Sequence, residues 1–233
     1  KDYLPESIPF KGRSFPYILN ITTGCPWNKL IRKSLIDEYQ LQFMPLHRSN
    51  DVYFIFMALA LAEKITVVQE VFVNYRQSGS SLQANNVKSP WDWYEALKAL
   101  KLKFEELQIY EELRSSFRNL AFGVGIYNLC SLKSGEAFCN VYERMKQEFF
   151  EEFDLTDFKE EECYSYNSKK YEIYRNMMQC TAGEYLFLEV QKLKQEKSYW
   201  AARAKNAEKE NKNKNPKERL SSLARKAMRK FGR

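Results

Sequence analysis

Three short groups of residues in the first third of the chain carry side chains that could do chemistry. They are Pro26-Trp27-Asn28-Lys29-Leu30, then Ser49-Asn50-Asp51-Val52-Tyr53-Phe54, then Val73-Asn74-Tyr75-Arg76, with Ser78, Ser80 and Ser81 just beyond. Asp51 precedes an apolar run, where a carboxylate caps a helix or, if its second oxygen faces a cleft, accepts a proton. Trp27 fits a core as well as a site. A lone arginine after an extended run, as Arg76 would be, usually pairs or solvates at the surface. Taken singly, none of the three groups specifies a function. His47 is the only histidine and reads as an ordinary loop residue. The cysteines Cys25, Cys130, Cys139, Cys163 and Cys180 are widely spaced, with no CxxC pair, so structural zinc is not expected and reduced thiols are. Cys25 reads as a small buried residue.

The elements that would position these groups can be read from punctuation and periodicity. Residues 1–25 contain Pro5, Pro9, Gly12, Pro16 and Gly24, which predicts loop with one short strand near 17–22. Residues 27–40 place Leu30, Ile31, Leu35 and Tyr39 near helical spacing after Pro26, which predicts a helix. Asn50 or Asp51 is expected to cap a second helix from Val52 to Ala62, apolar nearly all round and therefore buried. The β-branched and aromatic run Ile65, Val67, Val68, Val71, Phe72, Val73 predicts two short strands.

A boundary is expected near 87–90. Beyond it the pattern is helical, with breaks near 107–109, 133–135, 154–157 and 181–183. The acidic stretch 146–162 reads as a solvated face over a buried stripe of Phe149, Phe150, Phe153 and Phe158. Residues 184–212 predict one long helix, and Pro216 restarts a short one.

Composition places the chain among globular proteins, with 44% hydrophobic and 15% aromatic residues in 233. The net charge of +7 is uneven. Residues 191–233 hold 15 Lys/Arg against 4 Asp/Glu, whereas residues 1–190 hold 22 against 26. The basic character therefore belongs to the tail, not to a basic active site. An acidic body without a nucleic-acid motif argues against a nucleic-acid partner. The longest apolar run, around 54–62, is too short to span a bilayer, and a cytoplasmic protein, peripheral at the inner face of the membrane, is expected.

In this order and spacing the three groups resemble the C-terminal half of the catalytic domain of family 2 (GT-A fold) inverting glycosyltransferases. That family shows a W-N-K-L helix start, then an E-D-x-x-F helix start, then a strand ending in Y-R before a serine-containing loop. The match runs from Cys25 to Leu82, about a quarter of the chain. It implies an α/β fragment, the C-terminal part of a GT-A domain, over 1–88, followed by a mainly α-helical extension over 89–190 and a basic helical tail over 191–233. Asn50 stands where the family usually has an acidic residue. That removes a like charge that would raise the pKa of the next carboxylate.

The resemblance implies roles. Asp51 matches the catalytic base. Arg76 and Tyr75 would bind the donor diphosphate, and Trp27, Lys29 and Asn50 the acceptor. The partners would be a nucleotide-sugar donor and a saccharide or lipid-linked acceptor of cell-surface polysaccharide synthesis. A divalent metal, Mg or Mn, is expected for the family. Its D-x-D motif and nucleotide-binding βαβ region do not occur in residues 1–24, so no metal ligand is assigned here, and a piece of a longer enzyme, inactive alone, is expected. The competing reading is a catalytically inactive remnant acting as a membrane-associated interaction module.

The tail supports a membrane contact in either case. Leu220, Leu223, Ala224, Ala227, Met228 and Phe231 form one apolar stripe at helical spacing. Lys226, Arg229 and Lys230, with further cations, surround it, as suits an interface rich in anionic lipid.

Overall fold

The computed structural model describes residues 5–74, 89–163 and 168–213, without the side chains of 168, 169 and 210–213. Helices are the only regular elements among the described residues, and they overturn the α/β expectation. Residues 64–74 are extended, as their composition suggests, but among the described residues only Ile65 finds a strand partner. It exchanges two hydrogen bonds with Phe10, at 3.1 and 2.7 Å, in an isolated antiparallel bridge. A β-branched run becomes a sheet only when a neighbouring strand takes up its N–H and C=O groups. Here Val68, Val71 and Phe72 stand exposed instead. The strand expected near 17–22 is a pair of turns, with Ile18 N–H donating to Phe15 O and Asn20 N–H to Tyr17 O.

The helix expected over 27–40 is also shorter. Pro26–Asn28 is a single 3₁₀ turn, Lys29 is extended at φ −133°, and helix α1 occupies Lys33–Tyr39. Gln40, at φ 49°, ends α1, and Leu41 N–H reaches back to Ile36 O at 3.0 Å, a left-handed stop that buries Leu41.

Helix α2, Asn50–Leu61, is the centre of this half. Its sequence is apolar on every face, and eight of its twelve residues are buried. The N-cap is neither Asn50 nor Asp51 but Ser49, held left-handed at φ 54° with no side-chain cap bond. The N-terminal segment lies against the far end of α2. Gly12 N–H donates to Ala62 O at 2.8 Å, and a Cβ at position 12 would sit 2.0 Å from Leu59 O. Only glycine permits that approach.

α2 packs on α3 (Asp92–Glu106), and α3 on α4 (Tyr110–Cys130), so residues on both sides of position 88 share one core. Helix α5, Gly135–Arg144, is capped by Ser134, whose Oγ accepts from Ala137 N–H at 3.3 Å. It runs through a π turn, Met145–Phe149, into a last turn α6, Phe150–Glu152.

The Phe stripe is buried as expected. Phe149 and Phe153 lie 4.9 Å apart, with Tyr94 at 5.3 Å from Phe153 and Trp93 at 5.5 Å from Phe149. Edge-to-face rings at these distances add to what burial already contributes. Helix α7, Ser168–Gln179, closes over them, and Tyr174 Oη donates to Leu155 O at 2.6 Å.

The chain divides into two compact units, Lys1–Ala182 and Gly183–Arg233. The second consists, in its described part, of helix α8, Ala182–Asn213. No helix among the described residues is long and apolar enough to cross a membrane.

Candidate functional site

Asp51 lies in the first turn of α2, the most apolar of the described longer helices. Val52 N–H donates to Ser49 O at 3.2 Å, and the first-turn N–H groups of Asp51 and Val52 favour the charged form of the Asp51 carboxylate. Burial nevertheless pushes its pKa up, and this is the largest influence; the two N–H groups and the nearby Lys29 ammonium pull it down. A carboxylate raised toward neutrality is a better proton acceptor than an ordinary surface aspartate.

Lys29 is held in place by the loop that precedes it. Its Nζ donates to Thr23 O at 2.6 Å, Cys25 O at 2.9 Å and Asn28 Oδ1 at 2.8 Å. An ammonium has three protons, and all three are used. Burial lowers its pKa, while Cys25 and Asp51 raise it. Lys29 is therefore a fixed cation beside Asp51, with no donor left for a ligand in this arrangement.

A cleft of about 1710 Å³ opens beside Lys29. It is lined by Trp27, Lys29 and Leu30, by the α2 residues Ile55, Ala58 and Leu59, and by Val68 and Phe72 of the extended segment. Trp27, 47% exposed, presents a broad apolar surface to it. Asp51 is not itself part of the lining; it is coupled to the cleft through Lys29.

Asn50 is exposed, and its backbone carbonyl accepts from Met44 N–H at 3.1 Å. Tyr75 and Arg76 lie outside the described residues, as do Leu220, Leu223, Lys226, Met228, Arg229, Lys230 and Phe231 of the basic tail. The structure thus brings together Asp51, Lys29 and Trp27 from the first two groups.

No group of three or more His, Cys, Asp or Glu side chains comes together among the described residues, and the side-chain neighbour that acts on Asp51 is itself a cation. His47 is exposed.

Sequence reasoning missed the ties that hold this end of the molecule. Leu19 N–H donates to Ser116 Oγ at 2.9 Å, Ser116 Oγ donates to Asn20 Oδ1 at 3.0 Å, and Asn20 Nδ2 donates to Ser116 O at 3.1 Å. Arg48 N–H likewise donates to Asp92 Oδ2 at 2.9 Å, fastening the turn before α2 to the start of α3. The only signal for these was the polar residues Asn20 and Ser116, which carry no mark of their partners. The chain matches no family model, no curated protein and no solved structure.

Proposed function

We propose that this chain supplies the acceptor side and the catalytic base of an inverting glycosyltransferase of the family 2 kind. The donor is a nucleotide sugar, and the acceptor is a saccharide or a lipid-linked saccharide. The observation that carries the reading is Asp51: a half-buried carboxylate with a raised pKa, at the head of a buried helix, under the influence of a fixed cation, Lys29, that lines a wide cleft.

In such a transfer the acceptor hydroxyl attacks the anomeric carbon in line with the leaving group. The carboxylate of Asp51 takes the hydroxyl proton as the new C–O bond forms, and the bond to the nucleoside diphosphate breaks with its electrons. The rigid helix behind Asp51 limits the motion that would misplace it. Lys29 favours the ionised form of the carboxylate, against the stronger opposing effect of burial. Trp27 offers an apolar ring face to the acceptor sugar, and Arg76 and Tyr75 receive the diphosphate through bidentate and hydroxyl hydrogen bonds.

The test is a transfer assay on the intact product of the gene. A panel of nucleotide sugars is supplied with polyprenyl-linked and free oligosaccharide acceptors, and released nucleoside diphosphate is measured. Acceptor-dependent release from one donor is expected. Donor turnover indifferent to every acceptor, or none with any donor, contradicts the reading.

A further inference from the structure

We infer that helix α8 is the strand of a parallel, two-stranded coiled coil formed with a second copy of this chain. The reading stands apart from the role proposed for Asp51. Along α8 the residues Leu186, Val190, Leu193, Lys197, Trp200 and Ala204 recur at alternating steps of four and three, and Ala207 continues the series. That is the a/d spacing of a heptad seam, with Val190, Lys197 and Ala204 at a and Leu186, Leu193, Trp200 and Ala207 at d. A seam of this kind in a monomer leaves large apolar side chains in water. Val190 is 46%, Leu193 63% and Trp200 59% exposed. Phe187, exposed at the neighbouring e position, widens the same stripe, whereas Leu188 and Tyr199 lie off it.

The charges beside the seam identify the occupant. In a parallel pair each g residue meets the e residue five positions on in the other helix. Glu189 at g then faces Lys194 of the second copy, and Arg203 at g faces Glu208 of the second copy. Symmetry doubles both pairs, so four interchain ion pairs of opposite sign flank one seam. Between them Glu196 faces Ala201 of the second copy, so no like charges oppose each other at these positions. In the single chain Glu189 instead turns to Lys192, at 3.2 Å. A β-branched residue at a with leucine at d favours two strands over three or four, and Val190 between Leu186 and Leu193 supplies that pattern. Lys197 at a single a position costs stability and sets the register. With only three heptads the association is weak and depends on concentration.

Sedimentation equilibrium of the full 233-residue chain tests this. The expected result is a monomer–dimer equilibrium within a range of up to about 100 μM. Leu193→Asp is expected to weaken association at least about tenfold. Glu189→Lys, which sets two lysines against each other at both flanks, is expected to weaken it several-fold, and Glu189→Lys with Lys194→Glu to restore it. Circular dichroism confirms that each variant keeps its helix content. A folded chain that stays monomeric throughout, or one whose association is unchanged or tightened by Glu189→Lys, overturns the proposal.

Discussion

The ammonium of Lys29 acts on the carboxylate of Asp51 across the junction between a 3₁₀ turn and the head of α2. Burial and charge thus oppose each other at one group. Burial raises the pKa of Asp51, and Lys29 lowers it, with burial the stronger.

Replacing Lys29 by Met should therefore push the pKa of Asp51 further up, since the burial remains and the opposing cation is gone. The same change frees the carbonyls of Thr23 and Cys25, and should cost about 1–2 kcal/mol of stability. Carbon-detected NMR titration of the Asp51 carboxyl reads the first effect, and denaturant unfolding the second. An unmoved or lowered titration midpoint would show that the two groups are not coupled.

Asp51 should also leave a mark on the pH dependence of stability. Its folded pKa lies above the unfolded value of 3.8, so the native state keeps a proton that the unfolded chain has lost. Its contribution to stability is most favourable below pH 3.8 and falls as pH rises through the folded pKa. Asp51→Asn removes this loss while keeping an acceptor for the first-turn N–H groups. The variant should be slightly more stable than wild type at pH 7, by less than about 1 kcal/mol because the group is only half buried, and the gain should vanish near pH 4. Paired unfolding curves at several pH values decide this.

Much of the helical body was legible in the sequence. Helices beyond position 91 declare themselves through the 3.6-residue recurrence of buried residues such as Trp93, Leu97, Leu100 and Phe104, and Phe149, Phe150 and Phe153 follow the same logic, whereas Phe158 is buried beyond the helix end. The all-apolar α2 was legible too. The strands were not, because the composition of Ile65–Val73 records a preference that only a partner strand can satisfy, and among the described residues one bridge to Phe10 is all it meets. The start of α1 was misread because Pro26 opens a 3₁₀ turn as readily as an α-helix, and Lys29, its ammonium gathered by the carbonyls of Thr23 and Cys25, is extended. The site's fastening to Ser116 joins residues about a hundred positions apart, and local patterns carry nothing of that kind.

Gly12 is a sharper structural test. Gly12→Ala places a methyl 2.0 Å from the Leu59 carbonyl oxygen, a clash with backbone and not with a movable side-chain tip. The N-terminal segment must lift from α2, and a loss of about 2–3 kcal/mol is expected. A thermal midpoint equal to that of wild type would mean that the segment does not pack there.

Arg118 is buried between Asp157 at 2.6 Å and Glu162 at 3.0 Å, and its Nε has no hydrogen-bond partner among the described residues. Asp157 is 67% exposed, so water replaces part of what it offers; Glu162 is less exposed. Glu162→Ala should therefore cost about 3 kcal/mol, as it strands part of a buried guanidinium, and Asp157→Ala clearly less. Equal costs in urea unfolding would contradict this ranking.

The basic stripe of residues 216–233 predicts binding to anionic vesicles. Co-sedimentation with phosphatidylglycerol-rich liposomes should fall with salt and be lost when 216–233 are deleted. A folded chain that stays in the supernatant at low salt would assign the stripe to a protein contact.

The central claim is that Asp51 takes the acceptor's proton, and the most direct measurement is the turnover of Asp51→Asn in the intact gene product. With the donor and acceptor identified, the variant should lose about 10²–10⁴-fold in turnover, the range of a general base, while binding of the nucleotide sugar by calorimetry stays within about twofold. Wild-type turnover in the variant, or a loss that appears in donor binding and not in turnover, would contradict the assignment.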